Sequence, residues 1–138
     1  MKTYVEFRSS RFPPYEDGGD EVNPGVFGKR LAEFMKEGLA RKGLKPNEII
    51  AEDWGYIIPL ENDRFNLWVG CANIDETVDR FLCFIEPDRP VVYRYWFFGK
   101  IDTTQVVEKV HRAMDEWLTE HDGVFEKKWS TRGEFHAR

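Results

Sequence analysis

The residues best placed by type and spacing to do chemistry lie in the run Ala51-Glu52-Asp53-Trp54-Gly55-Tyr56, where two adjacent acids interrupt an otherwise apolar stretch and a glycine follows a tryptophan. A carboxylate beside Trp and Tyr rings can hold a cation or a basic side chain. Neighbouring strand residues point to opposite faces, so Glu52 and Asp53 act as a catalytic pair only if a bulge re-aims one of them, and Gly55 is where such a bulge would form. The plainer account is an edge strand whose inward acid is satisfied by Arg80, Arg94 or a backbone amide, which also hinders edge-to-edge association.

Other constellations point away from catalysis. The run Asn23-Pro24-Gly25-Val26-Phe27-Gly28-Lys29 sets glycines at a helix start, where free N–H groups attract anions, but it lacks the spacing of a phosphate loop. Asp17, Asp20 and Glu21 would repel a phosphate. That acidic cluster also lacks the ligand spacing of an EF-hand loop. His111, His121 and His136 form no metal set, and Ser9, Ser10 and Ser130 sit in no nucleophile elbow. Cys71 and Cys83 each lie within an apolar run, which suits reduced, buried thiols. No catalytic residue, metal or cofactor is expected.

Aromatics are the compositional excess, with eleven Phe, five Tyr and five Trp in 138 residues. Those in the strand candidates, Trp54, Tyr56, Trp68, Tyr93, Tyr95, Trp96 and Phe98, belong in part to a core. The remainder suit a partner surface or a small-ligand groove, because Trp and Tyr join an apolar body to a polar tip.

The elements that must position these residues follow from periodicity. Residues 3–8 alternate as a half-buried strand. An exposed loop rich in proline, glycine and acids follows at about 12–22. Asn23-Pro24 reads as a helix start, and Phe27, Leu31, Phe34, Met35 and Leu39 make its apolar face. Gly43 in a left-handed conformation, with Leu44 reaching back to Leu39 and Pro46 beyond, reads as its end. Four strands of a meander follow at about 48–60, 65–73, 80–86 and 91–98; the first and third joints are short and turn-forming, and the middle one, Ile74 to Asp79, is longer and acidic. The second, third and fourth are apolar on both faces, which implies a groove, an oligomer interface or a second covering layer. A last helix opens at Asp102 and carries Val106, Val107, Val110, Ala113, Met114, Trp117 and Leu118 inward. Trp129 docks, and a basic tail frays over about 131–138.

The expectation is one α+β domain over 1–138, two-layered, in the order β-α-β-β-β-β-α. Its sheet is mainly antiparallel, with two helices on one face and the first strand parallel to a meander strand through a right-handed crossover. Twenty-five acids against twenty bases, a net charge of −5, disfavour nucleic acid as a partner. The absence of an apolar leader or a long apolar run points to a cytoplasmic protein with no membrane partner. The functional expectation is a small non-enzymatic binding or accessory protein that uses an aromatic sheet face for a protein partner or for self-association as a homodimer. The rival is a small-ligand or enzymatic groove lined by Trp54, Tyr56, Trp68 and Trp96, with Glu52 or Asp53 as its polar anchor.

Overall fold

The structure is a computed structural model that describes residues 1–16, 25–95 and 98–137. Strands β1 (Tyr4–Arg8), β2 (Ile50–Glu52), β3 (Gly55–Leu60), β4 (Leu67–Asn73), β5 (Arg80–Glu86) and β8 (Phe125–Ser130) form one sheet in the order β2-β3-β4-β5-β1-β8. Every pairing in it is antiparallel. Among the described residues, strands β6 (Val91–Tyr95) and β7 (Phe98–Asp102) pair only with each other. Helices α1 (Lys29–Arg41) and α2 (Thr104–Glu120) cover one face of the large sheet, and a short helix, α3 (Arg132–His136), follows β8. The mainly antiparallel α+β class expected from the sequence is the one observed.

Strand alternation sets the core. Val5, Phe7, Ile58, Val69, Cys71, Phe81, Cys83 and Ile85 turn toward the helices and are buried, meeting Leu31, Met35 and Leu39 of α1 and Val107, Val110, Met114 and Leu118 of α2. The helices touch at Trp117, whose indole lies against α1 at Gly38. A Cβ added there would sit 2.3 Å from the ring, so only glycine permits this approach. Trp117 Nε1 also donates to the Phe34 carbonyl at 3.0 Å. Cys71 and Cys83 face each other across β4 and β5 with their sulfurs 3.6 Å apart as buried free thiols.

The end of α1 follows the sequence reading. Gly43 has φ 91°, Leu44 N–H donates to Leu39 C=O at 3.0 Å, and Gly43 N–H donates to Ala40 C=O at 3.1 Å, the two bonds of a Schellman motif. Its start does not: α1 opens at Lys29 behind Gly28, while Asn23 and Pro24 lie outside the described residues. At α2 the Asp102 carboxylate accepts from Thr104 N–H at 2.8 Å, and that bond holds its pKa below the usual carboxylate range. The capping position itself falls to Thr103, whose hydroxyl donates to the Arg89 carbonyl instead.

Five expectations are corrected. The strand over 48–60 is two strands, because the chain reverses at Asp53 and Trp54. The first strand is antiparallel to both neighbours, since it enters between β5 and β8 and needs no crossover. The strand over 91–98 leaves the meander and becomes half of the β6–β7 hairpin. Within the proline-rich loop, Phe12 is buried against Phe34 and Phe81. Finally, the chain past Thr131 forms α3: Thr131 Oγ1 accepts from Glu134 N–H and Glu134 Oε1 accepts from Thr131 N–H, a complete capping box. Strand β8 is anchored to α2 through Asp115, which accepts from Trp129 Nε1 at 2.9 Å and from Lys127 Nζ at 2.5 Å.

Candidate functional site

The face of the sheet turned away from α1 and α2 carries the side chains that alternate with the core. Across its middle run Ile57, Gly70, Phe84, Tyr4 and Ser130, each opposite the next in register. Gly70 shapes this row. A Cβ there would lie 2.4 Å from the Phe84 ring, so the ring occupies the space a side chain would need. Phe84 stacks on Tyr4 with centroids 5.2 Å apart and meets Trp68 edge-on at 5.6 Å. Trp54 folds over from the β2–β3 turn to reach Phe84 at 5.3 Å and Trp68 at 6.2 Å. Phe135 of α3 closes the far end against Tyr4 at 5.5 Å. Five rings thus run without a break from the tight turn to the C-terminal helix, each pair within the 4.5–7 Å range of favourable aromatic contact.

This strip is only partly covered. Trp54 is 39% exposed and Ile50, on the adjoining edge strand, is 46% exposed, while Tyr4 beneath α3 is 5% exposed. Charge collects at the α3 end. Glu86 sits opposite Trp68, and Arg132 lies 3.9 Å from Glu86 and 3.8 Å from Asp88. Burial pushes the Glu86 carboxyl above its ordinary range; Asp88 adds to the shift, and Arg132 and Arg89 oppose it. Burial likewise raises the Tyr4 hydroxyl, with Arg132 acting against the rise.

A carboxyl raised in the folded state binds its proton more tightly there than in the unfolded chain. Its stabilising contribution is complete below the unfolded value of about 4.3 and is lost as pH rises through the folded value. Glu86→Gln is therefore expected to melt higher than wild type at pH 7, with the gap closing toward about pH 4. Thermal melts of both proteins across that range test this, and a lower melting temperature for Glu86→Gln at pH 7 would show that the Arg132 pair outweighs the burial.

The sequence-derived site residues separate into three groups. Trp54 and Trp68 meet on the outer face as part of one cluster. Glu52 lies on that face too, half-buried opposite Gly55, while Asp53 is exposed in the turn itself. No bulge at Gly55 pairs the two acids; a tight reversal separates them. Tyr56 points the other way, buried opposite Cys71 on the helix side, so it shares no groove with Trp68. Trp96 lies outside the described residues. Tyr4, Phe84 and Phe135 were missed as site residues. The signal for Phe84 was a cross-strand glycine, and the signal for Phe135 was the Thr131-x-x-Glu134 pair.

Among the described residues no helix is long and apolar enough to cross a membrane, and no group of His, Cys, Asp and Glu could hold a metal ion. In comparisons with known proteins, no family profile, curated protein or solved structure matches the chain.

Proposed function

We propose that this is a non-enzymatic binding protein that docks a protein partner on the outer face of its sheet. The continuous strip of Trp54, Trp68, Phe84, Tyr4 and Phe135, open at its Trp54 end beside exposed Ile50, carries the reading. Anchors at protein interfaces are enriched in such aromatic residues, and rigid rings held by one another lose little conformational entropy on binding. Tyr56 and Trp68 lie on opposite sides of the sheet, which supports a protein partner over the small-ligand groove.

Photo-crosslinking in the native cell tests the proposal. With benzoylphenylalanine at Ile57 or Pro59 on the outer face, a discrete adduct is expected, and it should be lost when Trp54→Ala is added. The same probe at Glu108, exposed on α2, should give none. Equal adducts from both faces, or none from the outer face, would sink the reading.

A further inference from the structure

The two edges of the large sheet are unlike. Strand β8 carries Lys127 and Lys128, and its register with β1 shifts between Glu6 and Arg8; lysines and irregular pairing both discourage strand addition. Strand β2, at the other edge, is only three residues long and follows a stretch in which Pro46 bridges Leu60 one residue out of its register, but over Ile50–Glu52 itself it has no lysine and a regular pairing with β3.

The ladder shows which groups β2 leaves open. Ile85 N–H donates to Thr3 C=O at 3.0 Å, so Thr3 and Ile85 form a hydrogen-bonded pair. Hydrogen-bonded and non-bonded pairs alternate along an antiparallel ladder, and successive residues bond to opposite neighbours. Carried across the register, Phe84 bonds toward Gly70, Cys71 toward Tyr56, and Ile57 and Gly55 toward Ile50 and Glu52. Ala51 therefore turns its N–H and C=O away from β3, to the open edge, and it is exposed.

The surroundings of that edge define a guest. On the outer side stand Ile50, Glu52 and the Trp54 ring. On the helix side a groove of about 830 Å³ runs between α1 and β2, lined in part by Ala40, Ile49, Ala51 and Tyr56. From Pro46 to Tyr56 the chain holds three acids, Glu48, Glu52 and Asp53, and no base. Glu48 and Glu52 make no ion pair among the described residues. Lys29 and Lys36 line that groove together with Glu33, Glu37 and Glu48, so charge does not sort a guest's residues between the two sides; the apolar part of the lining is what suits apolar guest residues on the helix side, and Glu52 beside the Trp54 ring is what suits cations on the outer side.

We propose that β2 accepts an extended segment of a partner protein by strand addition, with basic side chains over Glu52 and Trp54 and apolar ones alternating into the α1–β2 groove. This rests on the outer-face reading and names the partner's chemistry. Main-chain bonds at Ala51 supply affinity, and alternate side chains supply specificity. A second copy fits less well, because joining two β2 edges gathers Glu48, Glu52 and Asp53 of both copies at one seam, with no base between Pro46 and Tyr56 of either to offset them.

The probe is a blocked eight-residue peptide of alternating valine and lysine, titrated into the ¹⁵N-labelled protein. Shifts are expected at the amides of residues 49–52 and 54, with slowed exchange at the Ala51 N–H. The valine–glutamate counterpart should bind about tenfold or more weakly. Ala51→Pro, which deletes the edge N–H, should abolish binding, as should N-methylating the peptide backbone, a control that leaves the protein's folding untouched. Binding retained by the methylated peptide, shifts mapping elsewhere, or no shifts at millimolar peptide would overturn strand addition. Concentration-dependent sedimentation lost in Ala51→Pro would assign the edge to a second copy instead and would equally overturn it. If the outer-face crosslink persists in Ala51→Pro and disappears in Trp54→Ala, strand addition fails while the docking face stands.

Discussion

Trp117→Ala is expected to lower the unfolding free energy by about 3–5 kcal/mol, the usual cost of removing a large buried aromatic side chain. The magnitude sits at the upper end of single substitutions because this ring is where the helices meet. It lies on Gly38 and on Phe34, with centroids 5.1 Å apart in the second case, and tilts against His121 at 4.2 Å. Neither helix can move in to fill the void, since each is held on the sheet by its own row of buried residues. Urea denaturation followed by circular dichroism reads the loss as a fall in midpoint at unchanged slope. Trp117→Phe keeps much of the ring and gives up the bond to the Phe34 carbonyl, so it should cost clearly less. A loss below about 1 kcal/mol for Trp117→Ala would mean that the helices are held chiefly by their separate contacts with the sheet.

The second large effect belongs to the outer face and concerns a pair. Gly70→Ala places a methyl group where the Phe84 ring now lies, and overpacking of this kind costs about 1–3 kcal/mol. In a Phe84→Ala background the methyl group has room, and alanine in a strand is favoured over glycine by roughly 0.5–1 kcal/mol. Gly70→Ala should therefore destabilise the wild type and be neutral or stabilising in Phe84→Ala, a coupling of at least about 1 kcal/mol in a double-mutant cycle. Equal costs in both backgrounds would show that Phe84 is not held over Gly70. The single variant has a functional consequence as well. Displacing Phe84 removes the ring that Tyr4, Trp54 and Trp68 share, so Gly70→Ala should reduce outer-face crosslinking more than its stability loss accounts for.

Local chemistry made much of this fold legible. Gly43, Leu44 and Leu39 spelled out the end of α1, because a left-handed glycine and a hydrophobic return are local requirements. The rows Leu67-Val69-Cys71 and Phe81-Cys83-Ile85 could be placed on common faces by alternation, but their opposite rows are apolar too, so the sequence did not say which face meets the helices. What escaped depended on partners distant in sequence. The reversal at Asp53 and Trp54 lacks the Asn-Gly or Asp-Gly signal of a two-residue hairpin, so 48–60 read as one strand. The direction of β1 is set by β5 and β8 from far along the chain. Helix α3 was available in principle from Thr131 and Glu134, but polarity and position suggested fraying, and the contacts that dock the tail, Phe135 and His136 on Tyr4 and Arg132 beside Glu86 and Asp88, come from residues distant in sequence. The candidate site divides in the same way. Trp54 and Trp68 share a face because the turn throws Trp54 over it, whereas Tyr56, two residues along, is carried to the other side by strand alternation.

The position of β1 also matters for the order in which the chain is made. Tyr4–Arg8 is synthesised before both of the strands that flank it, yet β5 begins at Arg80 and β8 at Phe125. At about 5–20 residues per second, the ribosome needs on the order of 4–14 s to go from Arg8 to Arg80 alone. Throughout that interval the β1 segment, with its Tyr, Val and Phe, has no edge to join, and β2, β3 and β4 can assemble without it. Charges at Glu6 and Arg8 then act as gatekeepers that keep a nascent apolar segment from pairing with its copies on neighbouring ribosomes. Slowed elongation between α1 and β5 would lengthen that exposure, whereas slowing after β5 would cost little, because β1 would already have one partner.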